Sequence, residues 1–289
     1  IDQAIEDLDI LSDVLIDCGV NVHRPKIHPH WKTIKTPYWE TTGWYNYCPR
    51  DLILVLNNTF IETPSSMRSR MFETYSYRDI MYEAFHDGAN IISAPKPMLL
   101  DADFDFSDLS VPTLMNKEIL FDAANIVRMG KDILFQISNS GNKLGAEWLQ
   151  RTFPEYRVHS TEKSYSGAHI DSTIVPLRPG LVLLNADRTS KDSYPEIFKS
   201  WDKIFFNDWV SIDYDGLAVC ENAIALNLLS IREDLVIVDE DQLPLIKVLE
   251  NHGIECIRLK LRPTRTLGGG FHCVTLDLKR EGNLENYFD

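Results

Sequence analysis

Leu243-Pro244-Leu245-Ile246-Lys247-Val248-Leu249-Glu250-Asn251 reads as a helix. His252-Gly253 then turns the chain, and Ile254-Glu255-Cys256-Ile257 reads as a strand. The same sentence is written elsewhere in this sequence. Residues 8–17 lead into Gly19-Val20-Asn21-Val22. Residues 66–85 lead through Gly88 into Asn90-Ile91-Ile92-Ser93. Residues 143–152 lead into Tyr156-Arg157-Val158-His159, and residues 195–201 into Lys203-Ile204-Phe205-Phe206. Strand pairs fall between the copies. Residues 51–56 and 59–62 flank a hairpin turn at Asn57-Asn58. Residues 173–176 and 181–184 flank Arg178-Pro179-Gly180, and residues 118–121 and 133–137 form a third pair. Repeated units cannot bury their faces alone, and a ring of them closes on itself. Five units of roughly 50 residues predict an α/β ring with a central channel, a propeller-like plan. An open α/β sheet is the plainer alternative, and the strand pairs inside each unit speak against it.

Composition narrows the function. The 289 residues are 44% hydrophobic and 25% charged, an ordinary globular balance. A formal charge of −14 disfavours nucleic acid and anionic membrane as partners and suits a cationic small substrate. No apolar run approaches a membrane span, and no signal-peptide pattern opens the chain. The chain instead begins inside an amphipathic pattern (Ile1, Ile5, Leu8, Leu11, Leu15), so the first element of the domain is expected to be missing. Cys18, Cys48, Cys220, Cys256 and Cys273 are odd in number, scattered, and free of C-x-x-C pairs. That pattern predicts a reducing, cytoplasmic setting without disulfides or structural zinc. His23, His28 and His30 lie close together but match no strong ligand spacing, so no metal and no cofactor are expected.

Several polar clusters stand at predicted strand ends. Leu267-Gly268-Gly269-Gly270-Phe271-His272-Cys273 delivers a thiol to the start of a predicted strand at 274–277. Glycine allows close approach of backbone or substrate there; a turn before a merely buried cysteine is the bland alternative. His169 and Asp171, two residues apart, would share one face of a strand. An imidazole and a carboxylate so placed can move protons and hold a cation. Asp122 follows Phe121 and precedes Ala123-Ala124-Asn125, as a carboxylate on a cleft floor would. Cys48-Pro49-Arg50-Asp51 precedes an apolar strand, and Asn185-Ala186-Asp187-Arg188 follows one. Arg188 could take a carboxylate bidentately. Each cluster has a surface or capping alternative. A ring would bring all of them to one mouth.

Taken together, these segments resemble the amidinotransferases, the family of arginine:glycine amidinotransferase within the guanidine-modifying superfamily. The resemblance runs over nearly the whole chain. It includes CPRDLILV at 48–55, the R-S-R-x-F-E-x-x-x-Y-R segment at 68–78, SAPKP at 93–97, FDAAN at 121–125, and the R-x-G-x-D-I segment from Arg128. HIDST at 169–173, NADR at 185–188 and LGGGFHC at 267–273 complete the series. It implies a pentein-type, five-bladed α/β propeller forming one catalytic domain over residues 1–289, with the first repeat's N-terminal segment absent. It also implies Cys273, His169 and Asp122 as the catalytic trio. Asp51 and Asp171 would hold the guanidinium, and Arg188 the donor's carboxylate. The expected partners are small molecules, L-arginine and an amine; a homodimer is an expected assembly.

One departure bears on the acceptor. Glycine-using relatives carry a Ser-Ser-Lys-Trp run where this chain has Cys220-Glu221-Asn222-Ala223. Those serines serve a carboxylate, and Glu221 would repel one. Cys220 and Glu221 therefore predict an acceptor amine without a carboxylate. A cationic guanidino amino-ketone, as in saxitoxin-type toxin biosynthesis, fits the acidic chain better than an aminocyclitol phosphate. The alternatives are glycine or an aminocyclitol phosphate as acceptor, a guanidine hydrolase of arginine deiminase type, and a non-catalytic guanidinium-binding protein.

Overall fold

Alternating apolar residues on either side of a tight turn make an antiparallel hairpin, and this chain repeats that device with a third, parallel strand added after a crossover. The computed structural model describes residues 1–44, 46–162, 164–211 and 218–288. Helix α1 (Asp2–Asp17) comes first, followed by a small hairpin of β1 (Thr33–Lys35) and β2 (Glu40–Thr42). The first full unit is β3 (Ile53–Leu56), β4 (Thr59–Glu62), α2 (Arg78–His86) and β5 (Asn90–Ser93). The second is β6 (Ile126–Met129), β7 (Asp132–Gln136), α3 (Lys143–Thr152) and β8 (Arg157–Thr161). The third is β9 (Ile174–Arg178), β10 (Leu181–Asn185) and β11 (Asp202–Phe206), crossed by a 3₁₀ turn at Glu196–Phe198. The fourth is β12 (Leu229–Arg232), β13 (Leu235–Asp239), α4 (Leu243–Asn251) and β14 (Glu255–Leu259); a short α5 (Thr264–Leu267) follows. In every unit the second hairpin strand is central, antiparallel to the first and parallel to the third. The central strands β7 and β10 are buried along their whole length, as covered parallel pairs require.

Successive units share cores. Leu54 and Ile61 pack with Phe121, Ile133 and Phe135 between the first and second. Met129 and Leu134 pack with Ile174 and Val182 between the second and third. Leu177 and Leu183 pack with Val236 and Val238 between the third and fourth. The fourth unit meets α1: Leu11 and Leu15 pack on Leu229, Ile237 and Phe271. A few residues later, Leu276 and Leu278 pack against the first unit's Ile53, Phe60 and Met81. Residues 271–278 thus reach from the fourth sheet to the first. Each large apolar side chain buried in these cores contributes about 2 kcal/mol.

Several sequence expectations change. Among the described residues there are four three-stranded sheets, and residues 20–22 after α1 form no strand. The expected strand at 118–121 is held by loop bonds instead, Asp122 N–H to Ser140 O and Asn142 N–H to Leu120 O, so the hairpin begins at Ile126. The expected helix at 66–85 is two 3₁₀ turns (Arg68–Arg70 and Glu73–Tyr77) before α2. His169 and Asp171 precede β9 rather than sit in a strand, because Thr173 N–H turns back to Ile170 O. Residues 274–277 are likewise not a strand: Val274 N–H closes a turn on Gly270 O, and Cys273 lies inside it. No helix is long and apolar enough to cross a membrane among the described residues.

Candidate active site

Three turns and one loop build a single cavity of about 530 Å³, whose lining includes Asp51, His169, Asp171, Arg188, Glu221 and Cys273. Pro49 fixes the first position of a 3₁₀ turn over Pro49–Asp51, which aims the buried Asp51 inward. The neighbouring Arg50 ties this turn to the chain around Cys273. Its Nε donates to His272 O at 2.6 Å and its Nη1 to Asp277 Oδ2 at 3.0 Å. Asp277 also takes Arg128 at 3.0 Å, and these guanidiniums hold its carboxyl far below the usual range despite burial. The chain is therefore fastened on both sides of Cys273, by a hydrogen bond at His272 and by ion pairs at Asp277.

The FDAAN and HIDST segments meet through their backbones. Ile170 N–H donates to Ala124 O at 3.0 Å, which sets His169 beside Asp122. His169 Nε2 lies 3.1 Å from Asp122 Oδ2, and Nδ1 lies 3.7 Å from Asp51 Oδ1. Burial disfavours the imidazolium, but Asp51, Asp122 and Asp171 together outweigh it and lift the histidine to about 9. His169 therefore carries its proton at neutral pH.

Cys273 is buried and is held at its backbone. Asn227 Oδ1 accepts its N–H at 2.9 Å, and Asn227 O accepts the N–H of His272 at 3.1 Å. The Cys273 thiol donates to Asp171 Oδ2 at 3.3 Å, and His272 Nδ1–H donates to the same oxygen at 2.9 Å. A hydrogen bond with Cys48, burial, and the charges of Asp171 and Asp51 push the Cys273 thiol well above its ordinary range. Burial pushes Asp171 up, but the hydrogen bond and charge of His272, with His169, outweigh it and hold Asp171 at about 2. Without a ligand, the cavity holds a protonated thiol facing carboxylates.

At the rim, Arg188 leaves the end of β10 through a turn closed by its own N–H on Asn185 O. Its Nη1 donates to Ser172 Oγ at 3.1 Å and Thr173 Oγ1 at 2.8 Å, and its guanidinium stacks 3.7 Å over the Tyr165 ring. Its Nη2 pairs with Glu221 Oε2 at 2.8 Å; the arginine side chain is 11% exposed and the glutamate 70%. The sequence predicts that Glu221 repels a substrate carboxylate; in the structure its charge is paired with Arg188. Cys220 also lines the cavity; its thiol donates to Thr264 O at 3.4 Å, and burial raises it to about 11.

The residues proposed from the sequence for catalysis and substrate binding all reach this region: Cys273, Asp51, Asp171, Arg188, Cys220 and Glu221 line the cavity with His169, and Asp122 stands behind His169. Sequence reasoning gave no role to Asn227, His272, Tyr165, Arg70 or Glu73. The last two lay inside the R-S-R-x-F-E segment, read only as a family likeness. His28 and His30 line a separate concavity of about 370 Å³. No cluster of three metal-ligating side chains occurs among the described residues.

No protein-family model matches the chain. Inosamine-phosphate amidinotransferase 1 of Streptomyces glaucescens is 45% identical over 284 residues, covering 98% of this chain and 82% of that protein. The solved inosamine-phosphate amidinotransferase of Streptomyces griseus superposes with a TM-score of 0.96 at 45% identity, over 98% of this chain and 82% of that one. An amidinotransferase of the saxitoxin biosynthetic pathway of Microseira wollei superposes with a TM-score of 0.95 at 38% identity, over 99% of this chain and 85% of that one.

Proposed function

This chain belongs to the amidinotransferase family and is a transferase, and on that premise we propose that it moves the amidino group of L-arginine to an amine other than glycine by way of a covalent amidino-cysteine on Cys273. The observation that carries this reading is the convergence of the Cys273 thiol, the His169 imidazolium and the carboxylates of Asp51 and Asp171 on one cavity, with Asp122 behind the imidazole and Arg188 at the rim.

A guanidinium is planar, delocalised and a poor electrophile. Asp51 and Asp171 fix its plane and balance its charge, while Arg188 receives the α-carboxylate. The arriving cation offsets the carboxylate field that keeps the Cys273 thiol protonated. The thiol proton leaves to solvent, and the thiolate attacks the central carbon. His169, already protonated, donates its proton to the departing δ-nitrogen as the C–N bond breaks, so ornithine leaves and the amidino group stays on sulfur. Neutral His169 then takes a proton from the incoming amine, which attacks the same carbon and expels the thiolate. Asp122 orients the imidazole and stabilises its charge.

The acceptor we favour is a cationic guanidino amino-ketone, on the acidity of the chain, the Cys220-Glu221 departure and the likeness to the saxitoxin-pathway enzyme. A second reading, an aminocyclitol phosphate, is favoured by the higher identity to inosamine-phosphate enzymes, 45% against 38%. Both act on small molecules within one catalytic domain. We further read the fold as a five-bladed pentein, with α1 and residues 271–278 standing as the fifth unit between the fourth and first sheets. Incubation of guanidino-labelled arginine with an acceptor panel, followed by mass spectrometry of products, tests the assignment. Label on the amino-ketone with release of ornithine supports it. Label on the aminocyclitol phosphate selects the second reading, and citrulline with ammonia would replace both with a hydrolase.

A further inference from the structure

Two charged residues, Arg70 in the cavity lining and Glu73 behind it, have no part in the reaction as described. Both are out of water: the side chains of Arg70, Asp51 and Glu73 are 6%, 4% and 0% exposed. Arg70 Nη1 donates to Asp51 Oδ2 at 2.7 Å. Its Nε donates to Glu73 at 3.2 and 3.1 Å, its Nη2 to Glu73 Oε2 at 3.0 Å, and the same Nη2 to Cys48 O at 3.4 Å. All three guanidinium nitrogens are engaged. The 3₁₀ turn over Arg68–Arg70 and the i,i+3 spacing of Glu73 set the fork.

The consequence appears on the other oxygen of Asp51. Oδ1 is buried, accepts no hydrogen bond among the described residues, and faces His169 Nδ1 at 3.7 Å. One oxygen is pinned from below and the other is left for a ligand. Asp171 repeats the arrangement, with its Oδ2 tied by His272 and Cys273. A carboxylate free to rotate would present either oxygen, and in a buried cluster of three acids it would be drawn to any donor within reach. The fork of Arg70 closes on Glu73, which holds the guanidinium in one plane, and from that fixed plane its Nη1 holds Oδ2 of Asp51 in one orientation.

We propose that Arg70, clamped by Glu73, is a positioning residue that fixes the plane of Asp51 so that Oδ1 receives the donor's guanidinium. This rests on the reading of Asp51 as a donor ligand. Burial lifts Glu73 to about 7 even against Arg70, which marks the clamp as confined and unsolvated.

The test is equilibrium binding of L-arginine by titration calorimetry in the full chain carrying Cys273→Ala, which removes turnover. L-norvaline, which has the donor's amino-acid head and no guanidinium, serves as a competitor. Arg70→Met should weaken arginine by about 30-fold or more, as truncating one partner of a buried charged pair does. Norvaline should stay within about 2-fold, the scatter of independent sites. In the Asp51→Asn background the same change should add no more than about 2-fold, because Arg70 acts through Asp51. Arg70→Lys keeps charge without the fork and should cost about 5-fold, and Glu73→Gln a similar amount. Those two variants carry the test if Arg70→Met does not fold. Unchanged arginine affinity, or parallel loss of arginine and norvaline, overturns the proposal while leaving the donor site intact. If Asp51→Asn alone leaves arginine binding unchanged, the donor-site reading falls and this proposal falls with it.

Discussion

The floor and the rim of the cavity are built on opposite terms. On the floor, Asp51, Asp122 and Cys273 are nearly inaccessible, and each is held by a partner that is itself buried or half-buried. At the rim, Arg188 is partly buried, and one of its partners, Glu221, stands mostly in water. A charge on the floor acts through a poorly screened medium and has few alternatives. A charge at the rim can exchange its partner for an ion, a water or a substrate at little cost. Under the proposed function, the floor sets which reaction occurs, and the rim sets which molecules enter it.

That contrast is open to attack, starting where the largest effect is expected. Cys273→Ala should abolish turnover, and peptide mass spectrometry after arginine treatment should find the amidino adduct of the unaltered chain on Cys273. An adduct confined to Cys220 or Cys256, or full turnover by Cys273→Ala, would remove the floor's claim to the chemistry. His169→Asn should slow both half-reactions by about 10²–10⁴-fold. The sign of its pH effect follows from its raised value. The imidazolium is present below about 9 and lost above it, so kcat/KM for arginine should fall as pH rises through about 9. His169→Asn should lack that descending limb, and a retained limb would assign it to another group.

Effects at the rim should be smaller and should depend on the substrate. Agmatine lacks the α-carboxylate, so it should be a poorer donor than arginine by about 10-fold or more, the loss of a charge-assisted bond to Arg188. Equal kcat/KM for the two would take Arg188 out of the donor site. Glu221→Ser should change least. Two like charges about 4 Å apart repel by about 1 kcal/mol in water and about 4 kcal/mol at an effective dielectric near 20. The exposure of Glu221 and its pairing with Arg188 place it near the lower figure. The relative use of glycine should therefore rise by about 5-fold at most. A rise of hundreds-fold would show that the rim governs selection as strongly as the floor governs chemistry.

Much of the floor was legible from the sequence, and the reason is local. Asp51, Asp122, His169 and Asp171 each sit a few residues from an apolar strand whose place in a unit is plain. Once the units pack in order, their ends meet. The strands drawn through His169 and Val274 were misread for the same kind of reason. β-Branched and apolar residues surround both positions, but single backbone bonds, Thr173 N–H to Ile170 O and Val274 N–H to Gly270 O, close turns that composition does not announce. The Arg188–Glu221 pair joins residues 33 positions apart in different units, so no spacing rule reveals it. Arg70 and Glu73 look like ordinary surface charges until their burial is known.

The three glycines before Phe271 have the same name and different reasons to exist. Gly268 sits at φ +74, a conformation that asparagine tolerates better than most other side chains. Gly269 has no such constraint, but a β-carbon there would lie 2.5 Å from Cys48 Sγ and 3.0 Å from Cys273 Cβ. At Gly270 it would meet Asn227, the residue that holds the backbone of Cys273, at 2.7 Å from Cβ. A saturation library scored by activity would accordingly mark positions 269 and 270 as intolerant as position 273, although neither has a side chain to offer a substrate. In such a map, intolerance at this loop measures reserved volume around the thiol, and only position 268 would report on backbone shape.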